Sequence, residues 1–518
     1  MFTGTVTLTQ GSGPATDTEV RPWPALGALC VGFFMILVDM TIVSVATPAI
    51  LETYAPHGAS VNDVIWVTSA YLLAYAVPIL ITGRLGDRIG PKRMYLGGLV
   101  VFTLASLWCG LAFELSHSIW MLVVARVLQG FGAAALAPQT MAVITRIFPR
   151  ESRGSAMSLW GATAGVATLV GPILGGVLVD VAGWEWIFFI NIPVGIVGFV
   201  LAWILVPKLE THPHKFDLVG VFLSAIGLFL IVFGLQEGET YDWGVIWGPI
   251  TVWGLIITGV VVMGLFIWQQ ARTKSEALVP LELFRDRNFS VANIGIATVG
   301  FTVTSMSLPL MFFLQLARGL TPTESAVLLI PMAVAAGVLS PLAGRWLDRT
   351  DPRVLLVPGL LLVAGSLVLY SVLMNLDTPI WVFLIPSFVM GVGNAGMWGP
   401  LATTATRNLA PRQAGAGAGI YNTTRTIGSV LGSAAIAVFM QSRIEANIPG
   451  AADAPGGSFG SGALPDVVAE PFATAMAQSV LLSAAAMLVG VVAVLFLRRP
   501  KATSTEDWQA ANEAVAAD

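Results

Sequence analysis

The sequence predicts an all-α integral membrane protein that crosses the bilayer fourteen times, with both ends on one side. Three observations carry that reading. The chain has 518 residues, 56% of them hydrophobic, and a mean hydropathy of +0.80, more apolar surface than a soluble core of this length can hide. The apolar residues gather into fourteen stretches, each able to supply the ~20 residues of helix that cross ~30 Å of hydrocarbon. They lie at approximately 24–48, 64–83, 94–113, 118–142, 155–180, 187–207, 216–235, 245–268, 289–315, 323–344, 353–373, 379–402, 412–440 and 471–497. The cations then sort by side. With a cytoplasmic N-terminus, 22 of the 26 Lys and Arg fall in cytoplasmic segments, Arg318 and Arg443 fall outside, and two arginines remain in the membrane. A wrong span count would scramble that asymmetry, because basic short loops mark the cytoplasmic face.

Composition bounds the rest. Residues 1–23 form a polar tail without a basic segment leading into a short apolar core and cleavage site, so the first span is expected to insert and stay. The net charge of −4 says little here, since membrane topology arranges charges by side. Cys30 and Cys109 both fall in predicted helices and suggest neither a disulfide framework nor a metal site. The four histidines (His57, His117, His212, His214) lie in predicted loops, and no paired acids or His-rich helix suggest an intramembrane enzyme. No phosphate-binding Gly-Lys-Ser/Thr loop is present, so no direct use of ATP, no cofactor and no nucleic-acid partner are expected. No segment is long enough for a folded signalling domain, which argues against a receptor.

The second and third spans are joined by Gly83–Arg93, GRLGDRIGPKR, read as a short charged turn. Its four cations (Arg84, Arg88, Lys92, Arg93) cannot enter hydrocarbon and place it at the cytoplasmic surface. Its order exceeds what a basic turn needs. Gly83 permits close contact at a helix end, Asp87 can accept hydrogen bonds at the start of a neighbouring element, and the cations can pair across a gate. In the fifth span, Gly161, Gly165, Gly171, Gly175 and Gly176 surround Pro172. Such a helix can bend and pack closely, either as ordinary membrane packing or as a sliding contact between two halves that seals one side of a cavity.

The opening motif recurs. Gly344, Arg345, Asp348, Arg349 and Pro352 match Gly83, Arg84, Asp87, Arg88 and Pro91 at an offset of 261, which also pairs Thr41 with Thr302, Pro48 with Pro309, Gly130 with Gly391 and Gly132 with Gly393. An offset of 257 pairs Gly171, Leu174 and Gly175 with Gly428, Leu431 and Gly432. Matches in one order along four helices indicate two homologous six-span halves. The expected organisation is a tail at 1–23, a first bundle at 24–207, two inserted spans with polar flanks at 208–288, a second bundle at 289–498 and a tail at 499–518. Trp243, Trp247 and Trp268 lie near the ends of the inserted spans, where interfacial anchors belong. The outside loop at about 442–471 has the Gly, Ala, Pro and Ser content of a flexible linker.

Of 30 acidic residues, Asp39 alone lies deep in a predicted span. A carboxylate at that depth costs ~3 kcal/mol on insertion scales, so it is expected to face the interior and work. Burial favours the neutral form of a carboxylic acid, which makes this residue the candidate proton carrier. Arg126 in the fourth span stays charged and can hold a carboxylate, a substrate anion or water. Opposite Asp39 and Arg126 the repeat has Gly300 and Ser387, so the scaffold is duplicated and the charges are not. The second buried cation, Arg425, stands with Tyr421 and Asn422. Tyr71, Gln129, Asn293, Gln315 and Asn394 complete the candidate cavity lining.

At these residues the chain resembles the major facilitator superfamily. GRLGDRIGPKR is similar to its loop signature between the second and third helices, RVLQGFGAA to its fourth-helix arginine motif, and GPILGG to its fifth-helix antiporter signature. LVDMTIVSVATP and WIFFINIPVG narrow the resemblance to the fourteen-helix drug:proton antiporters. Thr47 and Ser44 stand where such exporters often have Leu and Asn, and Pro91 replaces a usual basic residue; these departures bear on substrate preference more than on mechanism. The resemblance implies a major facilitator fold of two six-helix bundles plus two inserted helices, in the inner membrane. It implies efflux of amphipathic compounds by alternating access, driven by inward proton movement, with functional roles for Asp39 and Arg126. A dedicated exporter of one metabolite, lipid or siderophore, and proton-coupled uptake, are the alternatives. A periplasmic adaptor is compatible with the resemblance, though no stretch reports one.

Overall fold

In the computed structural model, the described residues are 21–59, 61–209, 211, 217–238, 240–273, 277–347, 349–409, 413–448 and 466–498. Both tails, most of the expected flexible loop, Asp348, His212 and His214 lie outside them. The first bundle contains α1 (Pro22–Tyr54), α2 (Val61–Ala76), α3 (Ile79–Ile89), α4 (Pro91–Leu115), α5 (Ile119–Ile147), α6 (Arg150–Ala182), α7 (Trp186–Phe189) and α8 (Asn191–Leu205). A hairpin of α9 (Leu218–Gln236) and α10 (Val252–Arg272) follows. The second bundle contains α11 (Arg287–Phe312), α12 (Pro322–Val327), α13 (Ile330–Leu347), α14 (Arg353–Leu373), α15 (Leu384–Ala395), α16 (Trp398–Thr406), α17 (Ala414–Asn447) and α18 (Asp466–Leu495). Thirteen helices among the described residues are long and apolar enough to cross a membrane, and the bent pair α2–α3 makes fourteen.

Three local readings need correction. The charged motif is not a loop: Gly83–Ile89 continues α3 as helix. The turn is Gly90 alone, at φ +100°, a conformation that glycine adopts without strain, and Pro91 opens α4. The second span is not one straight helix, since it bends by 45° beside Pro78, which lacks the amide hydrogen a continuous helix needs there. The eighth span starts at Val252 and not near 245, because Val245–Trp247 and Ile250–Thr251 pair as a short antiparallel ribbon turning at Gly248 (φ +55°). Trp247, 79% exposed, stands on that ribbon.

The repeat is visible in matched glycine contacts. Gly130 packs on the Tyr71 carbonyl and Ala74 and, 261 residues later, Gly391 packs on the Met332 carbonyl and Ala335. Gly132 meets the Gly98 carbonyl and Phe102, while Gly393 meets the Gly359 carbonyl and Val363. Without a Cβ at these crossings the backbones approach closely, which in lipid substitutes dispersion contacts for the missing hydrophobic drive between helices. Within the first bundle α4 packs on α5 and α1 on α6; within the second, α11 packs on α17 and α18. The bundles meet chiefly where α6 lies along α13 and α16, and where α3 lies on α17.

Candidate proton-coupling site and gate

The candidate site sits entirely within the first bundle, where α1, α4, α5 and α8 converge. Arg126 and Gln129 are three residues apart on α5 and so share one face. Asp39, Arg126 and Gln129 are fully buried, as is Ser106 of α4, and Asn191 at the start of α8 is nearly so. Arg126 Nη1 lies 2.6 Å from Asp39 Oδ2 and donates to Gln129 Oε1 at 2.6 Å. Asp39 Oδ1 accepts from Gln129 Nε2 at 2.9 Å and from Asn191 Nδ2 at 3.2 Å. The same two amides donate to Ser106 Oγ, which in turn donates to the Phe188 carbonyl. Arg126 Nε donates to the Val67 carbonyl, and the guanidinium lies 4.0 Å from the Tyr71 ring centroid.

This arrangement meets the conditions for burying two charges: opposite signs in contact and both carboxylate oxygens hydrogen-bonded. Two atoms are left over, since Arg126 Nη2 and the Tyr71 hydroxyl find no partner among the described residues. Tyr71 is oriented by the Gly130 crossing, which brings α2 against α5. Sequence reasoning named Asp39, Arg126, Gln129 and Tyr71 but missed Asn191 and Ser106. Asn191 lies inside the WIFFINIPVG stretch, which was a usable signal; a serine in a span carries none by itself.

The other candidate lining residues do not join this cluster. Arg425 on α17 reaches across to the first bundle, Nη2 donating to the Tyr75 hydroxyl at 3.2 Å. Tyr421 is fully buried, and the side-chain amides of Asn422 and Asn293 donate to carbonyls of their own helices, Ala418 and Phe289. Gln315 stands in a π-helical turn, Phe313–Ala317, and Asn394 near the end of α15.

The motif residues form the contact between bundles. Asp87, fully buried, accepts from the backbone amides of Gly415 and Ala416 at 3.1 Å each, at the first turn of α17. Arg146 of α5 donates to the same carboxylate at 2.5 Å. A Cβ on Gly83 would stand 2.7 Å from the Gly415 carbonyl oxygen, so only glycine allows this approach. The repeat builds a second such contact with the bundles exchanged: Gly344 packs on Ser155 and the Gly154 carbonyl of α6. Arg84 is buried with the motif, while Arg88 and Arg93 are exposed. Arg146 was counted only as a surface cation in the sequence.

Gly171 and Gly175 pack α6 on Thr41 and Ile42 of α1, inside the first bundle, so they make no contact between halves. Gly161 makes that contact against Trp398 and Gly399, and Gly176 faces Thr323. Pro172 lies inside α6, between Gly171 and Gly175.

The family profile described as the Major Facilitator Superfamily matches residues 29–433. An uncharacterized MFS-type transporter of Mycobacterium tuberculosis is 52% identical over 92% of this chain and 81% of its own length. The tetracenomycin C resistance and export protein of Streptomyces glaucescens is 32% identical over 94% and 93%. The multidrug resistance protein Stp of Mycobacterium tuberculosis is 33% identical over 80% and 75%. Among solved structures, the proton:xylose symporter XylE superposes with a TM-score of 0.65 at 13% identity, covering 95% of this chain and 98% of that one, a likeness of fold alone. The matched profile, these relatives and the doubled bundle agree, and the chain belongs to the Major Facilitator Superfamily.

Proposed function

We propose that this chain is a proton-coupled exporter of amphipathic small molecules that works by alternating access, with Asp39 as proton carrier. The observation that carries the proposal is the sealed Asp39–Arg126 pair on one half of a duplicated scaffold. Protonating Asp39 removes the charge that Arg126 faces and leaves a buried cation uncompensated, a cost of about 3–5 kcal/mol for a broken buried pair. That cost is relieved if the helices move and water or a substrate group reaches Arg126, whose Nη2 has no acceptor among the described residues. Proton binding and conformational change are coupled through that free energy. The names of the tetracenomycin and multidrug resistance relatives support export as the direction.

In this reading the functional units are the bundles at 24–207 and 289–498, with 208–288 as an inserted hairpin, both termini cytoplasmic and the inner membrane as location. Asp87, Gly83 and Arg84 hold the cytoplasmic gate shut in the observed state. Tyr71, Gln129, Asn293, Gln315, Asn394, Tyr421, Asn422 and Arg425 are the proposed substrate contacts once the bundles rock. The test is substrate-induced proton movement in everted vesicles, comparing the unmodified chain with Asp39→Asn across lipophilic cations and neutral drugs. Flux abolished in a variant that still folds and binds substrate is the expected result; unchanged flux removes Asp39 from the mechanism.

A further inference from the structure

Two hollows lie in line along the seam between α4 and α8, away from the proposed proton site. The first, about 460 Å³, is at the end of the seam beside the gate motif and is lined by Gly90, Lys92, Arg93, Lys208 and Thr211 with the apolar Ile89 and Leu209. Of its seven described lining residues three are cations and none is an acid. Lys92 Nζ is held at 2.6 Å from both the Trp203 and Val206 carbonyls, so it pins the start of α4 to the end of α8 and brings its charge to the hollow. Among the described residues no side chain caps the first turn of α4 at Gly90, which leaves the amide hydrogens at Lys92 and Arg93 directed outward from the helix start, where an anion is favoured.

The second hollow, about 180 Å³, lies deeper along the same two helices and is almost wholly apolar, between Leu99, Leu104, Ile196, Phe199 and Val200. Arg93 and Val100 are seven residues apart on α4, a rise of roughly 10 Å. Trp203 and Ile204, 62% and 69% exposed, lie between the two levels on α8 and face outward from the bundle. A cationic hollow at the membrane surface and an apolar one below it, joined by a lipid-facing strip, match the two ends of one kind of molecule. A free phosphate would satisfy only the first, and a neutral lipid would bring no counter-charge to the three cations.

We propose that the α4–α8 seam binds one anionic phospholipid, its phosphate among Lys92, Arg93 and Lys208 and an acyl chain in the apolar hollow beside Phe199. Basic pockets between helices on the cytoplasmic side attract anionic headgroups at a worthwhile free energy per cation. The site is independent of the substrate and proton roles proposed above, and its lipid reads on the residues that directly follow the gate helix α3.

The experiment uses the full chain in detergent, titrated with phosphatidylglycerol or phosphatidylcholine, with bound lipid counted by native mass spectrometry and competition by glycerol 3-phosphate. The unmodified chain should retain phosphatidylglycerol over phosphatidylcholine. Lys208→Glu reverses one charge, a change of two, and should weaken phosphatidylglycerol about 30-fold, while Lys208→Arg should stay within about 2-fold. Val200→Trp fills the apolar hollow from an exposed position and should also weaken phosphatidylglycerol, with Tm in detergent confirming that each variant folds. Equal retention of the two lipids, or unchanged binding in Lys208→Glu, overturns the proposal. If glycerol 3-phosphate competes as well as the lipid and Val200→Trp has no effect, the site holds a soluble anion and the lipid assignment is wrong.

Discussion

Replacing Asp87 with Asn should open the gate, and the size of the effect follows from which bonds change when it opens. Among the described residues Asp87 accepts three hydrogen bonds: one from Arg146, on α5 of its own bundle, and two from the amides of Gly415 and Ala416, on α17 of the other. If the bundles rock as units, the Arg146 contact persists in both states and contributes nothing to the difference. The two amide bonds are lost on opening. Bonds to a charged acceptor contribute about 1.5–3 kcal/mol each and neutral ones about 0.5–1.5. Asn retains one acceptor oxygen of neutral strength, so the closed state should lose roughly 2–4 kcal/mol, or about 30- to 900-fold in the closed-to-open ratio.

The assay is a distance measurement between spin labels on the exposed ends of the two bundles, at Trp203 on α8 and Val354 on α14. Cys30 is replaced by Ser in both the reference and the variant, and Cys109 is buried and should not label. Asp87→Asn should move the distance distribution toward the longer population that substrate or low pH also favours. Asp87→Glu serves as a control that keeps the charge but not the geometry. An unchanged distribution in Asp87→Asn, in a variant with the Tm of the reference, would refute the claim that this carboxylate holds the bundles together.

Three further outcomes are expected. Gly171→Val places side-chain atoms where Thr41 and the Val38 carbonyl already stand; overpacking of about 1–3 kcal/mol or more should lower Tm in detergent and abolish flux together, and a variant with normal flux would show that α1 and α6 can separate freely. Asp217 accepts from the Gly220 amide and from Gln269 and Gln270, tying the start of α9 to the end of α10; Asp217→Ala should cost about 1–3 kcal/mol at that junction, read as faster hydrogen exchange over α9 and α10 with the bundles unaffected. Burial pushes the Glu237 carboxyl, at the far turn of the same hairpin, above its ordinary value. The folded turn therefore binds a proton more readily than the unfolded one, and its exchange protection should be greatest at acid pH and fall as pH rises through and above the ordinary carboxylate range. Glu237→Gln should remove that dependence.

Much of the fold was legible because spans and sides are sums over local sequence: apolar runs of sufficient length, and cations confined to alternate loops. The repeat was legible because glycines at helix crossings tolerate no replacement, so Gly83, Gly130 and Gly132 return at one spacing. What local sums could not read was contact. Gly83–Ile89 looked like a loop by charge, yet it is helix, with Arg84 buried and with Gly83 and Asp87 set against α17 more than 300 residues away in sequence. Asp39 and Arg126 were separable candidates until the fold placed them together across 87 residues. Ser106 and Asn191 complete that pair; Ser106 gave no separate signal, since a single hydroxyl in a span is common, and Asn191 was signalled only by the WIFFINIPVG stretch around it. Val245–Thr251 was counted as membrane helix because valine, isoleucine and tryptophan score as apolar in either helix or ribbon.

The missing charges of the second half have a packing cause. At the position matching Asp39, a Cβ on Gly300 would overlap the Arg425 carbonyl and crowd Ser429, so α11 and α17 touch backbone to backbone where α1 leaves room for a carboxylate. At the position matching Arg126, Ser387 accepts from the Met332 amide, on the helix that corresponds to the one whose Val67 carbonyl receives Arg126. In both halves this residue satisfies the backbone of the facing helix; only in the first does it also carry charge. The close α11–α17 contact sets Arg425 on the side of α17 that faces the first bundle, where it meets Tyr75. One half thus closes the buried Asp39–Arg126 pair within itself, while the other packs backbone to backbone and sends its half-buried Arg425 across the interface. If Asp39 carries the proton as proposed, protonation acts on the first bundle and the second responds through α17, which carries both Arg425 and the amides that bind Asp87.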